Sequence, residues 1–336
     1  MKKKILSIFI MLVLTFGIIG CGKTSSENNS EKNSPAPQTA ESAEIKIAAL
    51  KGPTSMGLAK LFDDAKNDVE QKNSYTCTIL QSPDEVVVGL SKGDFDVAAI
   101  PANLASVLYN KTEGKLLKVA NINTLGVLYI ASKDDSIKSV EDLRGKTIIT
   151  SGKGATPEFV LRHVLSKHNI NPDTDVTIDF KTEHQEVVSS YMLRSDNSAV
   201  VMLPQPFLTV AEGLVTNLSL NDLWQEVNDS KLVTGVLVVR NEFLNSHKEA
   251  FDNFMEEYKS SVEFVNSNTD EASKIIAALD IVPEPIAKTA LPQCNIVYID
   301  GAEMKETLSN YLQSLYDEDA KSVGGNMPDE NFYYEK

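Results

Sequence analysis

Short apolar segments alternate with segments of helical spacing from residue 44 onward, and this alternation restricts the fold more than any other feature. Ten or so residues with a helical pattern separate most of the apolar segments. Strands that alternate with helices in this way favour parallel sheets covered by helices, so the sequence predicts an α/β fold. The predicted strands are 44–50, 75–80, 96–100, 116–122, 126–132, 146–150, 176–180, 199–203, 235–240 and 295–299.

Two parts of the chain repeat one pattern. Residues 47–62 and 148–165 each contain an apolar strand, Lys-Gly, small residues with Thr and Pro, and an amphipathic helix. Lys51 and Lys153 lie 102 positions apart, and Pro101 and Pro204, which each follow another strand, lie 103 apart. Such a repeat predicts two lobes of similar βαβ design, although short Gly and Pro patterns also match by chance.

The predicted lobes are not simple halves of the chain. Lobe 1 is predicted to comprise residues 44–127 and 239–336, and lobe 2 residues 128–238. The chain then crosses between the lobes twice, and two crossing strands form a hinge. We therefore expect a ligand to bind in the cleft between the lobes.

Four loops are predicted to line this cleft, because ligands of open parallel sheets bind at the carboxyl ends of the strands. Glycine lets the backbone approach a ligand, and a helix N-terminus attracts anions or polar acceptors. For each residue the alternative is an ordinary helix cap, with both lysines in solvent. The predicted ligand-binding residues are Lys51, Gly52, Thr54, Ser55, Pro101, Ala102, Asn103, Gly152, Lys153, Gly154, Ala155, Thr156 and Gln205.

Several function classes find little support in the sequence. The net charge of −15 argues against a nucleic-acid partner, because phosphate binding needs a basic surface. His163 and His168 are five residues apart on a predicted helix and make a poor metal pair. No HExxH, GxSxG, CxxC or Walker A motif is present. The sequence thus predicts no catalytic residue, no metal site and no cofactor.

Three apolar or weakly polar residues are assigned to the interior. Trp224, the only tryptophan, is predicted to lie in the core of lobe 2. Cys77 and Cys294 each lie in a strand-like context, which favours two separate buried thiols. A disulfide between them remains the alternative.

The N-terminal residues have the pattern of an export signal. Three lysines precede an apolar run at residues 5–19, which is short for a membrane span and typical of a signal peptide over residues 1–20. The following Gly20-Cys21 resembles a bacterial lipobox, which implies cleavage before Cys21 and lipid on its sulfur. Residues 21–43 contain no aromatic residue, Leu, Ile or Val and are predicted to form a disordered tether. An ordinary secretory peptide with a chance cysteine is the alternative.

Several stretches together resemble one family. They are the lipobox "IIGC", "LKGPTSMGLAKL", "GDFDVAAIPANLASVLYN", "LRGKTIITSGKGATPEFVLRHVL", "AVVMLPQPFLTVA" and "SVGGNMPDENFYY". The chain resembles the substrate-binding lipoproteins of ABC importers, within them the nitrate/sulfonate/taurine-type and NMT1/THI5-like proteins. The resemblance implies a type II periplasmic-binding-protein fold, with mainly parallel sheets flanked by helices and two crossover strands as the hinge.

The resemblance also implies a function. A small polar solute would be captured between the lobes and delivered to a membrane permease driven by an ATPase subunit. The protein would be a monomer without enzymatic activity, anchored outside the cell membrane by lipid on Cys21.

One departure from the family pattern concerns the solute. Relatives that bind strongly charged anions often place an arginine in the cleft, and the predicted cleft loops contain none. A zwitterion, a heterocycle or a weakly charged solute is therefore as compatible as an anion. Two other functions stay open: a lipoprotein receptor or adhesin with the same fold, and a THI5-like pyrimidine synthase, whose Cys-rich motif has no counterpart around Cys77 or Cys294.

The lipid anchor gives a direct prediction. Cys21→Ala should release the protein from the membrane fraction and abolish incorporation of labelled fatty acid, because the acylated sulfur is removed. Cys77→Ala is the matched control and should leave both unchanged. Continued labelling of the Cys21→Ala variant would contradict the lipobox interpretation.

Overall fold

A computed structural model describes residues 42–336. The predicted signal peptide, Cys21 and the predicted tether up to residue 41 lie outside the described residues. Within residues 42–336 there are eleven strands and thirteen α-helices, together with four short 3₁₀ segments. None of these helices combines the length and the apolar character that a membrane crossing requires.

The elements alternate along the chain. The strands are β1 (Glu44–Leu50), β2 (Ser74–Leu80), β3 (Val97–Pro101), β4 (Leu117–Leu125), β5 (Leu128–Ser132), β6 (Thr147–Thr150), β7 (Thr177–Phe180), β8 (Ala199–Pro204), β9 (Val215–Ser219), β10 (Val233–Arg240) and β11 (Ile296–Ile299). The helices are α1 (Pro53–Met56), α2 (Ala59–Lys66), α3 (Pro83–Lys92), α4 (Ala102–Lys111), α5 (Thr156–Lys167), α6 (His184–Met192), α7 (Phe207–Val210), α8 (Leu220–Val227), α9 (Asn241–Ser246), α10 (Lys248–Ser267), α11 (Thr269–Ala278), α12 (Glu284–Ala290) and α13 (Gly301–Glu318). The 3₁₀ segments are Val140–Leu143, Leu291–Gln293, Ala320–Val323 and Glu330–Phe332.

The strands form two sheets. A six-stranded sheet has the order β11-β4-β10-β3-β1-β2, and a five-stranded sheet has the order β7-β6-β8-β5-β9. In the first sheet β1 is parallel to β2 and β3, whereas β10 is antiparallel to β3 and β4, and β11 to β4. In the second, β6 is parallel to β7 and β8, whereas β5 is antiparallel to β8 and β9.

The prediction of mainly parallel sheets therefore needs correction, because both sheets are mixed. The antiparallel strands β5 and β10 are the ones by which the chain enters each sheet after leaving the other. Only residues 126 and 127 separate β4 in the first sheet from β5 in the second. The rule that a strand–helix–strand unit gives parallel neighbours applies within one sheet, so it does not fix the direction of a strand that arrives from the other sheet.

All ten predicted strands are present, with ends shifted by three residues or fewer. The eleventh, β9, was not predicted. It lies at the edge of the five-stranded sheet, and its first residues, Val215 and Thr216, are exposed. An edge strand of mixed polarity lacks the apolar run by which buried strands are recognised.

One predicted lobe boundary lies between two strands, and the other lies inside a strand. The boundary after residue 127 lies between β4 and β5. The boundary after residue 238 lies inside β10, whose residues pair with β3 and β4 of the six-stranded sheet.

The two long helices bury the faces that their apolar spacing predicts. On α10 the buried face packs against the six-stranded sheet, in one cluster with Ile45 and Leu237. On α13 the buried face belongs to a second cluster, which includes Ile100 of the six-stranded sheet and Met202 of the five-stranded sheet. Helix α13 thus packs in the core that joins the two sheets.

Trp224 belongs to this joint core. Its side chain is fully buried, and its ring lies 5.3 Å from the ring of Tyr311 on α13 and 4.7 Å from that of His163 on α5. The prediction of a core position is confirmed. Its packing partner Tyr311 comes from the C-terminal part of the chain, so this core is not built from residues 128–238 alone.

The two cysteines of the described chain are not bonded to each other. Both are free thiols; Cys294 is buried and Cys77 is half-buried. Burial raises the pKa of each thiol to about 12, so both stay protonated and unreactive at neutral pH. The prediction of separate thiols is confirmed.

Candidate functional site

A cavity of about 390 Å³ lies between the two sheets. Its wall is formed by residues that follow six strands: β1, β2 and β3 of the six-stranded sheet, and β6, β7 and β8 of the five-stranded sheet. The lining residues are Leu50, Lys51, Gln81, Pro83, Pro101, Ser151, Gly152, Ala155, Pro157, Thr182, Glu183, His184, Gln185 and Phe207.

Parallel pairing explains why these residues meet. Strands β1, β2 and β3 are neighbours with the same direction, so their carboxyl ends reach one edge of the sheet together. The same holds for β6, β7 and β8 in the other sheet. The edge outside these carboxyl ends is where open α/β sheets bind ligands. Here two such edges face one cavity.

The turn after β1 forms one part of the wall. Gly52 has φ of 136°, a backbone conformation that favours glycine. A Cβ atom at Gly52 would lie 3.7 Å from the Phe207 ring, so this turn comes close to the opposite sheet. The hydroxyls of Thr54 and Ser55 are buried and donate to the carbonyls of Leu50 and Gly52, at 3.2 and 2.9 Å.

The turn after β6 forms part of the opposite wall. Gly152 and Gly154 have φ of 81° and 74°, again in the range that favours glycine. Gly152 and Ala155 line the cavity, whereas Lys153 and Gly154 are exposed. The Lys153 ammonium lies 5.9 Å from the centroid of the Phe180 ring.

Asn103, Thr156 and Gln205 make buried contacts with other protein groups. Thr156 Oγ1 donates to Asn103 Oδ1 at 3.0 Å, and Asn103 Nδ2 donates to the carbonyl of Ser322 at 3.2 Å. Thr156 lies after strand β6 of the five-stranded sheet, and Asn103 lies after strand β3 of the six-stranded sheet. This hydrogen bond therefore links the two sheets. Gln205 Nε2 donates to Gln293 Oε1 at 2.9 Å. Gln205 lies after β8 of the five-stranded sheet and Gln293 lies before β11 of the six-stranded sheet, so this is a second link between the sheets.

Four of the thirteen predicted residues therefore line the cavity: Lys51, Pro101, Gly152 and Ala155. The others lie beside it. Thr54, Ser55, Ala102, Asn103, Thr156 and Gln205 are buried, Gly52 lies in the turn after β1, and Lys153 and Gly154 are exposed. The binding role of all thirteen stays a prediction.

Sequence reasoning missed the two loops that follow β2 and β7. They contribute Gln81 and Pro83 from one sheet, and Thr182 to Gln185 from the other. The sequence contains a signal for these loops, because residues 75–80 and 176–180 are both predicted strands. In the structure these strands lie beside β1 and β6. Ser151 and Phe207, which lie next to predicted loops, were missed as well.

His184 is the titratable ring of the cavity wall. Its Nδ1 shares a hydrogen bond of 2.7 Å with Ser151 Oγ, and its ring lies 4.1 Å from the Phe207 ring. Desolvation lowers the pKa of His184 to about 4, so the imidazole is neutral at physiological pH. A neutral imidazole can donate one hydrogen bond and accept another.

A larger cavity of about 740 Å³ lies elsewhere, beside α10, β11 and the start of α13. Its charged groups form ion pairs at the surface, such as Lys305 with Glu330 and Lys336 with Glu256. All of its strand residues belong to the six-stranded sheet. We place the candidate site in the smaller cavity, because only that one gathers the carboxyl ends of parallel strands from both sheets.

The fold matches solved structures of binding proteins. An ABC transporter protein from Parabacteroides distasonis has a TM-score of 0.72 at 22% identity, with 87% of this chain and 99% of that chain covered. The aliphatic sulphonate binding protein SsuA from Escherichia coli has a TM-score of 0.68 at 14% identity, covering 87% and 92%. A zinc-bound ligand-binding component of an ABC-type import system from Staphylococcus aureus has 0.67 at 15%, covering 87% and 96%. The chain therefore has the periplasmic-binding-protein fold that was predicted.

A family assignment follows from the sequence. The model of the family described as Menaquinone biosynthesis matches residues 53–316, so the chain belongs to this family. A putative binding protein of Bacillus subtilis (strain 168), YtlA, is 23% identical over 135 residues. That alignment covers 39% of this chain and 40% of the length of YtlA.

The hydrogen bond between Thr156 and Asn103 gives a stability prediction. Thr156→Val keeps the shape of the side chain but leaves the buried Asn103 carbonyl oxygen without its donor, which should lower the free energy of unfolding by about 1–3 kcal/mol. Chemical denaturation measures this change. Thr289→Val on the exposed side of α12 is the control and should stay within about 0.5 kcal/mol. Equal effects of the two substitutions would contradict a structural role for the contact.

The environment of His184 gives a titration prediction. NMR of ¹³Cε1-labelled histidine should show a midpoint near 4 for His184, with the signal assigned by its loss in His184→Gln. The folded-state pKa of His184 lies below the unfolded value of about 6.5. The contribution of His184 to the free energy of unfolding is therefore fully present above about pH 6.5 and is lost as the pH falls toward 4. A midpoint near 6.5 would show that the ring is solvated and not desolvated by the cavity wall.

Proposed function

We propose that this protein is an extracytoplasmic solute-binding protein that captures a small polar solute between two lobes and delivers it to an ABC importer. The observation that carries the proposal is the convergence of six strand ends from two sheets on one cavity. Its volume of about 390 Å³ lies in the range of ligand pockets, roughly 300–1,000 Å³. The binding and transport proteins that share the fold support the same role.

The lobes in this proposal are those of the sequence analysis, residues 44–127 with 239–336, and residues 128–238. The hinge comprises the link between β4 and β5 and the start of β10, where the chain passes between the sheets. Movement about two such connections would open the cavity to solvent and close it on a solute. The buried contacts of Asn103 with Thr156 and of Gln205 with Gln293 would form as the lobes close.

The remaining parts of the proposal concern location and partners. Lipid on Cys21 would hold the monomeric protein at the outer face of the cell membrane, and residues 22–43 would serve as the tether. The permease and ATPase subunits of the importer would be its protein partners. The predicted ligand-binding residues are part of this proposal, together with His184 and Phe207, which line the same cavity.

An enzyme is the second candidate, because the family is described as biosynthetic and the cavity contains the hydrogen-bonded pair Ser151 and His184. A histidine whose pKa is about 4 is a weak base at neutral pH, where general bases work best with a pKa near the operating pH. This argues for binding rather than catalysis. A lipoprotein receptor or adhesin would use the same cavity without an importer, and neighbouring permease and ATPase genes would argue against it.

Residues 42–336 contain both sheets and their cores, so this segment suits a binding test. A thermal-shift screen over sulfonates, nitrate, pyrimidines, nucleobases and amino-acid-like compounds should give hits that raise the Tm in proportion to ln(1 + [L]/Kd). Small-angle scattering should show compaction with the same compounds. We would abandon solute capture if a broad screen gave no hit and scattering showed no compaction.

The position of the site can be tested with any hit from that screen. Phe207→Ala removes an apolar part of the cavity wall and should weaken binding about tenfold, or roughly 1.4 kcal/mol. Phe264→Ala changes a partly buried ring on α10, outside the cavity, and should leave the Kd unchanged. Equal Kd values for both variants and the unmodified protein would place the solute elsewhere.

A further inference from the structure

Two of the helix N-termini beside the cavity are already neutralised by the chain itself. At the start of α5, Gly154 N–H donates to the Glu158 carboxylate at 2.7 Å. Just before α6, Thr182 N–H donates to the Glu186 carboxylate at 2.9 Å. A helix N-terminus attracts an anion through its unpaired N–H groups and partial positive charge. Here both donors precede the helix, and a carboxylate of the protein lies in the first turn of each helix, beside that position.

Helix α3 also begins beside the cavity, and its N-terminus is capped by a hydroxyl. At the start of α3 the Asp84 N–H donates to Ser82 Oγ at 3.2 Å, and the first turn contains two acidic residues, Asp84 and Glu85. The expectation that helix starts in this cleft attract anions is therefore weakened at α3, α5 and α6, whereas the first turns of α1, α4 and α7 contain no acidic residue.

Basic side chains are scarce in the cavity wall. Lys51 is the one lysine among the residues that line the cavity, and it lies 3.4 Å from the exposed carboxylate of Asp280. No arginine lines the cavity. The four arginines of the described chain pair with acidic residues elsewhere: Arg144 with Asp175, Arg162 with Glu158 and Asp173, Arg194 with Asp196, and Arg240 with Asp96 and Glu242.

The wall is otherwise apolar or uncharged, apart from Glu183. Its apolar members are Leu50, Pro83, Pro101, Ala155, Pro157 and Phe207. His184, oriented by Ser151 and packed on Phe207, is a hydrogen-bonding group of this wall that carries no charge at neutral pH. An anion that entered would lose its hydration and find a single basic side chain, Lys51, among the lining residues, which also include Glu183, so its transfer from water is poorly compensated.

We propose that the solute of this cavity is uncharged and partly apolar, that His184 hydrogen-bonds its polar group, and that Ser151 positions the His184 ring. The inference rests on the proposed function, because it concerns the same cavity. It separates this chain from a sulphonate-binding role such as that of its structural neighbour SsuA. Because the His184 ring is neutral, it does not compensate the charge of a bound anion, and anions should therefore bind more weakly than uncharged solutes.

Compounds that differ in charge alone test the inference. The pairs are benzenesulfonamide with benzenesulfonate, nicotinamide with nicotinate, and butyramide with butyrate, titrated at neutral pH into residues 42–336 by ligand-observed NMR. At least one amide should bind about tenfold more tightly than its anionic partner. Tighter or equal binding of the anions, or of nitrate or taurine, would overturn the inference and leave the proposed function standing. Failure of every compound to bind at millimolar concentration would count against both.

Variants of the cluster test the roles of the two side chains with the amide that binds best. His184→Phe keeps a ring against Phe207 but removes both nitrogens, so it should weaken amide binding about tenfold, and a thermal melt shows whether the variant is folded. Unchanged binding would overturn the role of His184. If this variant does not fold, Ser151→Ala decides, since loss of the hydrogen bond to Nδ1 should weaken binding as well.

The positioning role of Ser151 has its own readout. Ser151→Ala should shift the NMR titration midpoint of His184, and Ser151→Thr, which keeps a hydroxyl, should restore both the midpoint and the affinity. A Ser151→Ala variant with unchanged midpoint and unchanged affinity would show that Ser151 does not position the ring.

Discussion

Parallel pairing of β1 with β2 and β3, and of β6 with β7 and β8, is the constraint on which the site depends. Three neighbouring strands that share a direction bring their carboxyl ends to one edge of the sheet. Each of these strands is followed by a loop or by the start of a helix. The antiparallel strands β5 and β10 carry the chain from one sheet to the other. The two edges consequently face each other across the cavity lined by Pro101 and Phe207.

Buried hydrogen bonds between side chains fix the position of these two sheet edges relative to each other. The Asn103 amide is satisfied on both sides, by Thr156 from the opposite sheet and by the carbonyl of Ser322. A buried amide or hydroxyl without a partner costs about 1–3 kcal/mol, so these contacts favour one arrangement of the two sheets. Trp224 and Tyr311 add apolar packing to the same junction. A chain that opens about the proposed hinge has to exchange these contacts for water.

The fold could be predicted largely from the sequence because the strands are apolar segments separated by helical spacing. The same reasoning found the loops at Lys51 and Gly152, which line the cavity. It failed where a property depends on a distant partner. Nothing near Asn103 in the sequence indicates that its amide meets Thr156, and nothing near His184 indicates that Phe207 and Ser151 surround the ring. The helix-start pattern at Thr156-Pro157-Glu158 could be recognised from the sequence, but Glu186 could not, because it looks like an ordinary first-turn residue until its N–H partner is known.

Electrostatics gives the site its proposed character. Two helix starts beside the cavity have a carboxylate that accepts a hydrogen bond from the backbone, and the one lining lysine lies 3.4 Å from Asp280. The most direct test of the central claim is a crystal structure of the protein with a bound solute. The solute should contact residues after strands of both sheets, with Pro101 on one side and Phe207 on the other. A solute bound instead in the larger cavity beside Tyr298 and Lys259, or held by one sheet alone, would contradict the claim.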